Sequence, residues 1–121
     1  MVRVTSAEDD ADRLATASLA DNDPTGWFER LYANAAEGAA VVPWDRRRPT
    51  PLLVEWADAA DLTGNGRRAV VVGGALGDNA EYIARRGFAT VAFDVSPTAV
   101  RLARQRFPDS IVERTELSDW M

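Results

Sequence analysis

The 121-residue chain contains no cysteine and no histidine. The first absence removes disulfides and thiolate nucleophiles; the second removes the usual neutral-pH base and the commonest metal ligand. Lysine is missing too: all fourteen basic residues are arginine. No apolar run approaches the roughly 20 residues needed to span a bilayer, and the acidic start, "MVRVTSAEDDADR", has no signal-peptide core. These features point to a cytoplasmic protein with no membrane partner. The net charge is −5, with no basic block beyond Arg46-Arg47-Arg48. That argues against nucleic acid, whose phosphates need a concentrated positive face. Any chemistry must therefore rest on carboxylates, tyrosine, arginine or a cofactor.

What remains is ordinary for a single globular domain: 46% hydrophobic and 27% charged residues. Residues 1–22 are rich in Asp and Ala and offer little to bury, so the expectation is a flexible or weakly helical lead. The domain itself spans 23–121. In "DPTGWFERLYANAAEG", Asp23 and Pro24 suit a helix start, Trp27, Phe28, Leu31, Tyr32 and Ala35 share one face, and Gly38 suits the stop. Core packing is the simplest role for these aromatics. The three prolines of "AAVVPWDRRRPTPLL" make it a loop. Thr50 and Pro51 open a second helix, with Leu52, Trp56 and Ala59 or Ala60 as its apolar stripe. "TGNG" at 63–66 reads as a turn.

From Arg67 onward strands and helices alternate. "RAVVVG" has the β-branched run of a strand buried on both faces. A helix over "GDNAEYIARRG", a strand over "FATVAFD", a helix over "SPTAVRLARQRF" and a short strand over "SIVER" complete a βαβαβ unit. Right-handed crossovers place the three parallel strands in the order 3-2-1. The fold class is α/β, a Rossmann-like half-domain with flanking helices and a helical N-terminal region.

The first strand runs into "GGALGD". Glycine lets a ligand approach the backbone, and a helix start offers free N–H groups. Gly73, Ala75 and Gly77 occupy the three positions of a G-x-G-x-G pattern. A dinucleotide turn, G-x-G-x-x-G, would need glycine at 78, where Asp78 would repel a pyrophosphate. Asp94 ends the second strand, 21 residues after Gly73, where an acid is placed to accept from ribose hydroxyls. Its alternative role is to support the next helix start at Ser96.

"AVVVGGALGDNAEYIARRGF" followed by "TVAFDVSPTAVRLARQRFP" resembles the cofactor half of class I S-adenosylmethionine-dependent methyltransferases. The upstream "WFERLYANAAEGAAVVPWDRRRPTPLLVEWA" resembles the corresponding region of the thiopurine methyltransferase-like branch. The likeness covers roughly residues 24–112. It implies S-adenosyl-L-methionine as cofactor and a small-molecule methyl acceptor. Gly73, Gly74, Ala75 and Gly77 would flank the methionine part, Asp94 would hold the ribose, Val95 would pack near the adenine and Trp44 would close the pocket. Asp119 and Trp120, or else Glu116 and Leu117, would read the adenine amino group. No catalytic residue is assigned.

The chain departs from the pattern twice. Ala75 stands where the family has glycine, and the strands that normally follow the third are missing before Met121. The first strand is then left with an unpaired, β-branched edge. Two such edges could pair antiparallel about a two-fold axis, making a homodimer through residues 69–73. The first reading is thus a methyltransferase or its cofactor half; the second is a non-catalytic binding or assembly module that dimerises; a nicotinamide-dependent dehydrogenase is a third. Arg46–Arg48 could meet an anion but fit a solvated loop better, and Tyr32 and Tyr82 fit core or rim packing.

Overall fold

A computed structural model describes residues 7–120; the side chains of Ala7 and Trp120 lie outside the described residues. The elements in order are α1 (Ala7–Ala20), α2 (Gly26–Ala36), α3 (Pro51–Ala59), β1 (Arg68–Val72), α4 (Asp78–Arg85), β2 (Ala89–Asp94), α5 (Pro97–Arg106), β3 (Glu113–Glu116) and a 3₁₀ turn at Leu117–Trp120. The strands form one parallel sheet in the order β1-β2-β3, with Val71 beside Ala92 and Ala92 beside Arg114. This is the α/β Rossmann-like half-domain expected.

The N-terminal helices pair. Leu31 and Tyr32 of α2 are buried and meet Ala11 and Leu14 of α1, together with Val42, Leu76 and Ala99. Residues 7–20 form one helix, while residues 1–6 of the expected lead lie outside the described residues. The few apolar groups of this helix suffice because they fall on one face, and burying a leucine contributes about 1.5–3 kcal/mol. Asp23 accepts from the Gly26 amide at 3.1 Å at the start of α2. At its end, Gly38 (φ +78°) supports two closing bonds, Gly38 N–H to Ala35 O and Ala39 N–H to Asn34 O.

A second core lies between α4 and the sheet, built from Ala80, Ala84, Ala92 and Val112 with Val71 against it. Among the described residues, nothing covers the β1 part of the opposite sheet face. Val70 and Val72 are 56% and 73% exposed, so β1 is not buried on both faces. The strand order runs one way along the sheet, and crossovers of the usual right hand then put α4 and α5 on one side. The third strand starts at Glu113, not Ser110: Ser110 Oγ accepts from the Val112 amide and holds that stretch as a loop, with Ile111 exposed.

The α3 stripe is also corrected. Ala57 is buried, whereas Leu52 and Trp56 face outward. Arg86 sets this rotation. Its guanidinium donates to the carbonyls of Leu62 and Ala57 and pairs with Asp58 at 3.0 Å, tying α3 to the end of α4. Thr50 stands at the α3 start, but its hydroxyl caps nothing there and accepts instead from Asn79 Nδ2.

Candidate functional site

The glycine turn follows from backbone conformation. Gly73 has φ +64° and Gly77 has φ +100°, both in the region that favours glycine. Gly77 also lies against α5 and β3, because a Cβ there would come within 2.8 Å of Arg114 Nη1. At Gly73 a Cβ would meet nothing within 4 Å, so the backbone at that point stands open. Ala75 takes φ +49°, a left-handed conformation that costs an alanine about 1–2 kcal/mol.

What holds Ala75 there is Asp94. Its Oδ2 accepts from the Ala75 amide at 2.9 Å, and its Oδ1 accepts from the Ser96 amide at 2.9 Å. Asp94 thus supports the start of α5, the alternative role the sequence offered, and it also braces the glycine turn, which the sequence did not signal. A carboxylate has about four accepting positions, so each oxygen retains one. Ser96 completes the junction by accepting from the Ala99 amide and donating to Glu29 of α2 at 2.7 Å. Glu29 also takes the Thr98 amide and hydroxyl. Burial alone would raise its pKa, but these hydrogen bonds hold it below the usual value.

These elements enclose a cavity of about 490 Å³ at the C-terminal ends of β1 and β2, the place where open α/β sheets take ligands. Trp44, Gly73, Gly74, Ala75, Gly77, Asp94 and Val95 all line it. Leu117 lines it as well. Asp119 does not; its carboxylate accepts from the Glu116 amide at 3.3 Å within the 3₁₀ turn. The Trp120 side chain lies outside the described residues.

Several lining residues had weak sequence signals. Tyr32 is 2% exposed yet reaches the cavity, where its hydroxyl accepts from Trp44 Nε1 at 2.8 Å. Burial, with Asp94 and Asp45 nearby, pushes that hydroxyl far above its usual pKa, so it stays protonated. Edge-on contacts from Trp27, Phe28 and Tyr32 fix the Trp44 ring.

Asp78 is not a bare charge. Arg106 of α5 donates to Asp78 at 2.7 Å and to both oxygens of Asp45 at 2.9 Å. The hydrogen bond to Arg106 lowers the pKa of Asp45, burial opposing it. The repulsion of a pyrophosphate by Asp78 is correspondingly weaker than the sequence suggests.

No protein-family model and no curated protein matches the sequence. Among solved structures, one reported for the conversion of a disulfide bond into a thioacetal group during echinomycin biosynthesis superposes with a TM-score of 0.63 at 25% identity. The likeness covers 76% of this chain and 38% of the other. This chain therefore shares its Rossmann-like architecture with an echinomycin-biosynthesis structure while spanning well under half of that chain's length.

Proposed function

We propose that this chain is a S-adenosylmethionine-dependent methyltransferase acting on a small molecule, or the cofactor-binding half of one. The observation that carries the reading is the Ala75–Asp94 hydrogen bond. It joins the glycine turn and the ribose-type acid into one wall of a cavity whose size suits a ligand of a few hundred Å³. The likeness to a structure reported for disulfide-to-thioacetal conversion during echinomycin biosynthesis supports the architecture on which this reading stands.

The residues present fit the cofactor. Open backbone at Gly73 admits close approach, one free accepting position on each Asp94 oxygen suits ribose hydroxyls, and Val95 and Leu117 offer apolar surface for an adenine. S-adenosylmethionine, when bound, supplies a methyl group on a sulfonium leaving group. The contribution of the chain is to bind, orient and shield; transfer of that type draws much of its acceleration from positioning. Trp44, held by Tyr32, covers the cavity from the loop side. Nicotinamide cofactors share the Asp94 feature, and competition between NAD and S-adenosylhomocysteine separates the two.

Calorimetric titration with S-adenosylhomocysteine tests the proposal, with Asp94→Asn as control. Asn keeps one acceptor oxygen but loses the charge. Micromolar binding by the parent and at least about tenfold weaker binding by the variant is the expected result. No binding by a sample folded by circular dichroism sinks the reading.

A second reading is favoured by β1, which among the described residues is an edge strand with Val70 and Val72 exposed. Here the chain is a binding module that assembles with a second copy through antiparallel β1 pairing. Light scattering on a size-exclusion column tests it: the mass should be that of a dimer, and Val70→Lys should return it to a monomer.

A further inference from the structure

The loop between α2 and α3 is pinned at two points to the first turn of α4. Asp45 reaches Asp78 through Arg106, and the Thr50 amide donates to Asn79 Oδ1 at 2.7 Å, with the Asn79 amide returning to Thr50 Oγ1. Between the pins lie three consecutive arginines. They do not behave alike. Arg46 and Arg48 line the cavity; Arg47 does not. Arg47 sits at φ +54° with its amide turned back onto Asp45 Oδ1, and this kink presents its two neighbours to the same side.

Among the described residues, neither Arg46 nor Arg48 has an ion-pair or hydrogen-bond partner from its side chain. The acids near them are already engaged. Asp45 and Asp78 share Arg106, and Asp94 holds two amides. This end of the cavity therefore has two uncompensated guanidinium groups beside an Asp–Arg–Asp cluster that carries one surplus negative charge. Positive and negative sites side by side suit a zwitterion. An amino-acid group has that form, with its carboxylate toward the arginines and its ammonium toward the acids. Guanidinium forks match carboxylates well.

We propose that Arg46 and Arg48 form a carboxylate subsite that takes the amino-acid tail of the cofactor. The inference rests on the cofactor reading above. The pins place the arginines beside Asp78 and Asn79, next to Gly77, whereas Asp94 and Val95 mark the nucleoside end.

The test compares two ligands by calorimetry: S-adenosylhomocysteine, which has the tail, and 5′-methylthioadenosine, which lacks it. Arg46→Gln and Arg48→Gln should each weaken S-adenosylhomocysteine by about tenfold, as expected on losing a charge-assisted bond. Both should leave 5′-methylthioadenosine within about twofold, and Arg47→Gln should change neither ligand by more than the same margin, far below the effect of a lost bond. Unchanged S-adenosylhomocysteine binding in both variants overturns the subsite and leaves the carboxylate to other groups. Equal weakening of both ligands overturns it too, because the loop would then act through shape. If neither ligand binds the folded parent, the cofactor reading falls and the subsite with it.

Discussion

The amide of Ala75 donates to Asp94 Oδ2 at 2.9 Å across 19 residues of sequence. One hydrogen bond thus couples the strained turn after β1 to the end of β2. Asp94→Ala should leave the amides of Ala75 and Ser96 without acceptors in a nearly buried site, costing about 1–3 kcal/mol for each amide that water cannot reach. Asp94→Asn should cost distinctly less. Urea unfolding of both variants checks the order.

Ala75→Gly relieves a left-handed alanine. The gain of about 1–2 kcal/mol in the native state exceeds the loss of about 0.4–1 kcal/mol from a freer unfolded chain. The expected outcome is a melting temperature raised by a few degrees. Ala75→Val, with a branched Cβ in the same conformation, should lower it.

Arg106 satisfies two acids at once. Arg106→Met should leave Asp45 and Asp78 without their bridging guanidinium and destabilise the fold by about 1–3 kcal/mol. The loss should concentrate in the loop, so amide exchange at residues 44–50 should accelerate more than in the sheet. Adding Asp78→Asn should recover part of it.

Glu29 makes the fold acid-sensitive. Its pKa in the folded chain lies below the ordinary 4.5, so its contribution is complete above 4.5 and is lost as pH falls through the lower folded value. The melting temperature should be flat near neutrality and drop below that range. Glu29→Gln should lower stability at pH 7 and flatten the acid slope, because Gln cannot accept from Ser96 and Thr98 as a charged group does.

Most of this architecture was legible from local signals. The Gly38 stop and the Ser96 cap each depend on a residue acting on its own neighbours, and the strand order follows from the general hand of parallel crossovers. The misreadings share a different cause. Helical periodicity alone allowed Leu52 and Trp56 to face inward; the deciding group was Arg86, almost 30 residues away in sequence. The valine run of β1 signalled two covered faces, yet coverage depends on where the crossovers go. The site was half legible. Glycines and Asp94 carry a spacing, whereas Tyr32, Asp45 and Arg106 meet only after α2, the loop and α5 converge, and no pattern in the chain announces that convergence.

Trp44 gives the molecule an optical readout. Its indole N–H is bonded to Tyr32 and three aromatic rings meet it edge-on, yet the residue is still 41% exposed at the cavity wall. A molecule entering the cavity would strip water from that remaining surface. The emission of this one indole should then shift to shorter wavelength, a change absent in Trp44→Phe. Occupancy could be followed in a cuvette, with no label on either the protein or its ligand.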